Sequence, residues 1–108
     1  MAVPRTLVPG CTVEGAGDDL ASAVRIEKYR LGEKAVYLPE GFKWNYIPRS
    51  LIREMSSFET NVRAGHCVTV RITRPTLELK TGKGDFRLDF DRQERLEKMR
   101  EMLSPDRA

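Results

Sequence analysis

The sequence contains few of the residues that build metal centres and nucleophilic active sites. It has one histidine, His66, and two cysteines, Cys11 and Cys67, which lie far apart in the chain. A zinc site needs several Cys or His ligands, and the adjacent His66 and Cys67 would point to opposite faces of a strand. A disulfide framework also needs more cysteines than these. We therefore expect no metal, no cofactor and no catalytic residue, and predict that the protein is not an enzyme.

Long hydrophobic runs and a strong charge of one sign are also missing. No stretch has the length of a membrane-spanning helix, and residues 1–10 lack the apolar run of a signal peptide, so we predict a cytoplasmic protein without membrane insertion. The 19 Lys and Arg against 16 Asp and Glu give a net charge of only +3. Dedicated nucleic-acid-binding domains have a denser positive charge. The 108 residues suffice for one domain with a small core.

Turn-forming residues are concentrated at the N-terminus. Residues 1–22 contain prolines and glycines at close spacing, which predicts a flexible arm. The first regular pattern begins at Ala23, and the last one ends before Ser104-Pro105. We therefore predict a single domain over 23–103 and a frayed C-terminus over 104–108.

Residues 23–62 predict extended segments. Alternating apolar and polar residues indicate strands over 23–31, 35–38 and 42–47, separated by turns at 32–34 and 39–41 and ended by Pro48. Residues 48–52 are typical of a turn or one short helical turn. From Ile52 to Val62 the apolar spacing fits a helix or a strand, and the Ser, Thr and Asn content favours an extended segment.

The second half predicts a hairpin and a helix. After a turn at 63–65, residues 67–73 alternate as a strand that Pro75 interrupts, and the strands 76–80 and 86–90 flank a turn at 81–84. From Asp91 the period becomes helical, and Asp91 with Glu94 has the spacing of a capping box. The predicted buried stripe of this helix consists of Leu96, Met99 and Leu103.

The predicted order of elements, antiparallel strands followed by one amphipathic helix, resembles that of the small bacterial proteins with a pleckstrin-homology-like (PH-like) domain. The resemblance rests on residues 30–39, 46–52, 77–90 and 92–103. It implies a mainly β fold, an antiparallel barrel or pair of bent sheets capped by the C-terminal helix, that binds peptides, proteins or lipid headgroups. Lipid-binding members have several basic residues across the first hairpin loop. Here that loop offers only Arg30 and Lys34 with Glu33 between them, so we do not expect lipid-headgroup recognition.

Two clusters of aromatic and basic residues are candidate surfaces. Phe42, Trp44 and Tyr46 alternate along one strand, which favours a place in the core. Together with Lys43, Arg49 and Arg53 they would otherwise form a stacking surface for single-stranded nucleic acid or a groove for a peptide. On neighbouring strands Arg71 and Arg74, with Arg63 and Arg87, indicate a basic stripe, or a solvated face where acidic residues interleave.

Other motifs favour structural roles. Residues 80–85 contain glycines and lysines that can cradle a phosphate, but they join two strands, which indicates a plain hairpin turn. Residues 15–19 lack the preceding strand of a nucleotide-binding loop. Asp85, Asp89 and Asp91 share one strand face, where two carboxylates could form a hydrolytic pair. The stronger interpretation is structural: Asp91 caps the helix, and Asp85 and Asp89 lie in solvent.

The sequence therefore predicts a non-enzymatic binding or assembly module. It would recognise a protein segment, or a second copy of itself, through an exposed strand edge or the groove beside the helix. The alternative is a nucleic-acid-binding domain that uses basic strand faces. The predicted partner surface comprises Arg30, Lys34, Lys43, Trp44, Arg49, Arg53, Arg71 and Arg74.

Overall fold

A computed structural model describes residues 3–64 and 70–104 of the chain. Within these ranges the protein consists of two β-sheets, a short N-terminal helix and a longer C-terminal helix. The predicted class, mainly β with one C-terminal helix, is confirmed in the form of two sheets, and no described strand pairing joins them into a closed barrel. Neither helix has the length and apolar character needed to span a membrane.

The first sheet has five short strands. They are β1 (Arg5–Thr6), β2 (Val24–Ile26), β3 (Tyr29–Leu31), β4 (Ala35–Glu40) and β5 (Lys43–Pro48), arranged in the order β1-β5-β4-β3-β2. The pairs β2–β3, β3–β4 and β4–β5 are antiparallel, whereas β1 runs parallel to β5. The short helix α1 (Ala16–Ala21) lies between β1 and β2 in the chain.

The second sheet is an antiparallel meander of longer strands. A single 3-10 turn (Arg49–Leu51) leads into β6 (Ile52–Ala64), which pairs with β7 (Val70–Thr81), which pairs in turn with β8 (Gly84–Asp89). Residues 52–62 are thus extended, as their polar content predicts. Helix α2 (Gln93–Leu103) follows the sheet.

The two sheets and α2 enclose one inner core. The predicted helix stripe of Leu96, Met99 and Leu103 is buried there, against Ile26, Leu31 and Val36 of the first sheet and Leu77, Leu79 and Leu88 of the second. Burying each of these side chains stabilises the fold by roughly 1.5–3 kcal/mol. The helix therefore closes the space that the two sheets leave open.

Part of the segment that the sequence predicts as a flexible arm is folded. Ala16 and Leu20 of α1 pack on Ala35, Tyr37 and Tyr46 and form an outer cluster on the far face of the first sheet. The turn-forming residues serve this arrangement, since Gly15 begins α1 with a φ of 73°. The segment is folded, contrary to the prediction, because of a tertiary contact that local sequence does not show. Without it, the rings of Tyr37 and Tyr46 would face water.

A buried carboxylate fixes α1 to the turn between β3 and β4. Asp19 accepts hydrogen bonds from the Tyr37 hydroxyl at 2.7 Å and from the backbone N–H groups of Glu33 and Lys34 at 3.0 and 3.1 Å. Its side chain fills the space in front of Gly32, where a Cβ would come within 2.1 Å of the carboxylate. The turn predicted at 32–34 is confirmed, and glycine is required there for close approach.

Several predicted boundaries are wrong because the chain turns at other residues than the sequence pattern predicts. The strand predicted over 23–31 is a hairpin with the two-residue turn Glu27-Lys28. Pro39 lies inside β4 opposite Trp44, and the chain turns at Gly41-Phe42, which leaves Phe42 wholly exposed instead of in the core.

The second sheet requires corrections of the same kind. Pro75 lies within β7, opposite Glu59 of β6, and does not interrupt the strand. The turn predicted at 63–65 falls partly in β6, which continues to Ala64. Residues 65–69, with His66 and Cys67, and residues 105–108 of the predicted frayed end lie outside the described residues.

We expect Gly32→Ala to lower the free energy of unfolding by about 2 kcal/mol or more, because the new methyl group displaces the Asp19 carboxylate from its buried donors. Gly17→Ala is the matched control. A Cβ at Gly17 meets no atom within 4 Å, so this variant should be more stable by about 0.5 kcal/mol. Denaturant unfolding measures both, and equal stabilities for the two variants would contradict the assigned contact.

The tyrosines should make the fold sensitive to alkaline pH. Burial raises the pKa of Tyr29 to about 12, and burial together with the hydrogen bond to Asp19 raises the pKa of Tyr37 further still. An unfolded tyrosine ionises near pH 10. Since the folded state keeps the proton, this stabilisation is complete below about pH 10 and is lost as the pH rises towards 12.

Tyr29→Phe tests this dependence. The variant lacks the hydroxyl that accepts a hydrogen bond from the Asp89 N–H, so it should be less stable at neutral pH but should lose less stability on going from about pH 9 to about pH 11. Denaturant midpoints measured across that range show how steeply the stability of each protein falls with pH. Parallel curves for the two proteins would refute the assignment.

Candidate functional site

The two basic residues of the predicted first hairpin loop have structural partners. Arg30 stacks on the half-buried Trp44, with its guanidinium carbon 5.2 Å from the ring centroid. The Lys34 ammonium donates a hydrogen bond to the Glu14 carbonyl oxygen at 2.9 Å. Both contacts hold together neighbouring segments of the fold, and the two side chains do not converge on a common ligand position.

The other predicted cations are dispersed. Arg49 donates to the carbonyl oxygens of Gly32 at 3.0 Å and Met102 at 2.8 Å, which ties the end of α2 to the β3–β4 turn. Arg53 lies over Gly82 in the β7–β8 turn. The remaining positions are spread across both sheets: Lys43 is exposed at the start of β5, Arg71 pairs with Arg63 in the β6–β7 ladder, and Arg74 lies 3.6 Å from Asp91.

The phosphate-loop and carboxylate motifs also have local structural roles. Residues 81–84 form a tight hairpin turn in which the Thr81 hydroxyl donates to the Gly84 carbonyl oxygen at 2.7 Å. Asp85 lies at the turn end of β8, whereas Asp89 accepts from the Thr76 hydroxyl at the other end. Across residues 3–64 and 70–104, no three His, Cys, Asp or Glu side chains are placed to hold a metal ion.

The structure instead brings together four basic side chains that the sequence did not single out. Arg25 of β2, Lys28 of the β2–β3 turn, and Arg92 and Arg95 at the start of α2 line a cavity of about 520 Å³. We call it the basic cleft. Glu27 and Asp91 complete its lining.

Glu27 determines how the cleft is built. With a φ of 56° it is the one described non-glycine residue with a left-handed backbone conformation. Its carboxylate accepts hydrogen bonds from the N–H groups of Asp91, at 2.9 and 3.0 Å, and of Arg92, at 3.1 Å. The contact joins the β2–β3 turn to the start of α2. A side chain distant in sequence thus supplies the acceptor for these amides.

The predicted capping box is therefore wrong. Arg92, and not Asp91, precedes the first residue of α2, and no side chain of this segment caps the helix. Asp91 instead forms an ion pair with Arg74 at 3.6 Å. Sequence spacing identified the helix start to within two residues, but the carboxylate that binds the amides before the helix comes from a turn more than sixty residues away in the chain.

The electrostatics of the basic cleft favour an anion. Its four basic side chains outnumber its two carboxylates, and one of these, Asp91, lies 3.6 Å from Arg74 outside the lining. Among the residues that the structure describes, Arg25 donates only to the Glu27 carbonyl oxygen and Arg95 forms no ion pair. Arginine stays protonated at physiological pH. The cleft therefore offers positive charge and hydrogen-bond donors, the chemistry of binding rather than of proton abstraction.

Sequence analysis could have found half of this site. Arg92 and Arg95 are three residues apart on a predicted helix, and Lys98 continues the spacing, so a basic stripe is visible in the sequence. Arg25 and Lys28 join them only through the hairpin at Glu27-Lys28, which has none of the usual turn residues.

Comparison with known proteins identifies no relative. No protein-family model matches the chain, and no curated protein and no solved structure matches it either. The chemistry of the basic cleft is thus the basis for a functional proposal.

Glu27 substitutions should separate the carboxylate contact from the backbone conformation. Glu27→Ala keeps the left-handed conformation and removes the acceptor, so it should lower the free energy of unfolding by about 1–2 kcal/mol. Glu27→Gly removes the acceptor too but relieves the backbone, so it should be roughly 1 kcal/mol more stable than Glu27→Ala. Denaturant unfolding measures the series, with the exposed Glu97→Ala as a neutral control. A Glu27→Ala protein as stable as wild type would show that the contact has no net effect.

Proposed function

We propose that the protein is a non-enzymatic binding module that recognises a protein segment in the basic cleft. The observation that carries this proposal is the position of the cleft, between the edge strand β2 and helix α2. It corresponds to the groove beside the helix that the sequence predicts as a binding place. A cavity of about 520 Å³ accommodates a few side chains of a partner, not an enclosed folded domain.

The edge strand adds a second element of recognition. In the described ladders β2 pairs only with β3, which makes it an edge strand of the first sheet. Peptides commonly bind such edges through main-chain hydrogen bonds, with side chains supplying specificity. A segment laid along β2 would place its side chains next to Arg25 and the start of α2.

The proposal also includes a fold similar to that of PH-like domains. Antiparallel strands in two sheets followed by one C-terminal helix support it, and binding of protein segments is among the uses that the resemblance implies. The location in the cytoplasm stays a prediction from the sequence.

Nucleic-acid binding is the competing function, and the aromatic residues argue against it. Of the predicted stacking residues, Tyr46 is buried, Trp44 is covered on one face by Arg30, and Phe42 lies alone at a turn. Single-stranded nucleic acid binds best where exposed rings stack successive bases. The described rings do not form such a surface.

Selection of peptides from a random library against the full chain tests the proposed function. We expect selected peptides to shift the backbone NMR signals of Lys28, Arg92 and Arg95 more than those of Met55 and Lys83, which lie on other surfaces. Sedimentation over a concentration range reports in parallel whether the segment belongs to a second copy.

Two results would overturn the proposal. One is a selection that yields no binding peptide, or peptides whose signal changes are confined to β6 or the β7–β8 turn. The other is a single-stranded oligothymidylate that binds when no peptide does, with an affinity that falls steeply with salt, since this would support the nucleic-acid function.

A further inference from the structure

We infer that the partner segment is acidic and lies along α2 from the basic cleft towards Lys98. This inference rests on the proposed function and adds the chemistry of the partner. It follows from three observations: the charge left uncompensated in the cleft, the carboxylate already held there, and the direction in which the basic surface continues.

The first observation is the imbalance of charge in the basic cleft. Four basic side chains line it against the two carboxylates of Glu27 and Asp91, which leaves an excess of two positive charges. Glu94 lies 3.5 Å from Arg92, but both side chains are about seven-tenths exposed, so their attraction is weak and a ligand can replace it. A neutral or basic segment would leave these cations without partners, whereas an acidic segment supplies them.

The second observation is that this end of the molecule already binds a carboxylate. The Glu27 side chain accepts hydrogen bonds from two backbone amides before α2: the Asp91 N–H, shared by both carboxylate oxygens, and the Arg92 N–H. Of these, the Arg92 amide belongs to the N-terminus of the helix, where an acidic group is favourable. Glu27 shows that an acidic group binds well beside these amides. The surrounding cations also favour an acidic group on the solvent side of the cleft.

The third observation gives the segment a direction. A second cavity of about 300 Å³ is lined by Glu94, Arg95 and Lys98, so Arg95 belongs to both cavities. Arg92, Arg95 and Lys98 follow one another at helical spacing over roughly 9 Å. An extended chain covers that distance with about three residues. Side chains two residues apart share one face of an extended chain, so acidic residues at alternate positions match the track.

Synthetic peptides of defined charge test the inference with the full chain. We use a peptide in which glutamate and serine alternate, so that all glutamates share one face of the extended chain, with matched peptides that carry glutamine or lysine in place of glutamate. Two to three exposed ion pairs should make the glutamate peptide bind about tenfold more tightly than the glutamine peptide, with a difference that shrinks as salt rises. Isothermal titration calorimetry measures each affinity.

Charge reversal on the protein identifies the surface. Arg95→Glu should weaken binding of the glutamate peptide about fivefold and strengthen binding of the lysine peptide. Arg95 is exposed and outside the inner core, so the variant should fold, and circular dichroism verifies this. Lys83→Glu makes the same change in net charge in the exposed β7–β8 turn and should alter the affinity by less than about twofold.

The outcomes separate this inference from the proposed function. If library-selected peptides bind at the basic cleft but are neutral, or the glutamine peptide binds as tightly as the glutamate peptide, the acidic partner is refuted and the binding module remains. Equal effects of Arg95→Glu and Lys83→Glu would also refute it, because binding would then follow net charge alone. A preference of the cleft for oligothymidylate over the glutamate peptide would refute both.

Discussion

The buried carboxylate of Asp19 is the contact on which the outer half of the structure depends. A carboxylate removed from water is costly unless its oxygens accept hydrogen bonds, and here two backbone amides and a tyrosine hydroxyl supply them. Each hydrogen bond to a charged acceptor contributes about 1.5–3 kcal/mol. The contact orients α1, and α1 in turn covers the tyrosine rings of the first sheet. The sheet therefore has apolar contacts on both faces, although its strands are short.

Glu27 performs a comparable task at the opposite side of the β2–β3–β4 meander. Both carboxylates accept hydrogen bonds from backbone N–H groups of a distant segment, and each joins elements that no strand pairing connects. They differ in exposure: Asp19 is buried, whereas the Glu27 contact lies at the rim of the basic cleft. The left-handed backbone at Glu27 costs roughly 1–2 kcal/mol, which is offset by the contact it makes possible.

Patterns that depend on local sequence were predictable here, and patterns that depend on distant contacts were not. The alternation of Phe86 and Leu88 and the helical spacing of Leu96, Met99 and Leu103 identified the hairpin and the helix, because burial of one face imposes those periods. Gly41 did signal the second turn, but Pro39 and Glu40, which were predicted to belong to that turn, lie inside β4. The turn at Glu27-Lys28 carries no sequence signal, since its conformation is imposed by the strands that it joins. The cleft was missed for the same reason: its basic residues come from two elements that meet only in the folded chain.

The single tryptophan of the chain lies outside the inner core. Trp44 belongs to the margin of the outer cluster, stacked beneath Arg30 and next to the segment that covers Tyr37 and Tyr46. Its indole emission is therefore a local optical reporter of the N-terminal segment on the sheet, while the packing of α2 between the two sheets contributes little to it. Spectroscopic records of unfolding by emission and by far-ultraviolet dichroism thus refer to different parts of this molecule.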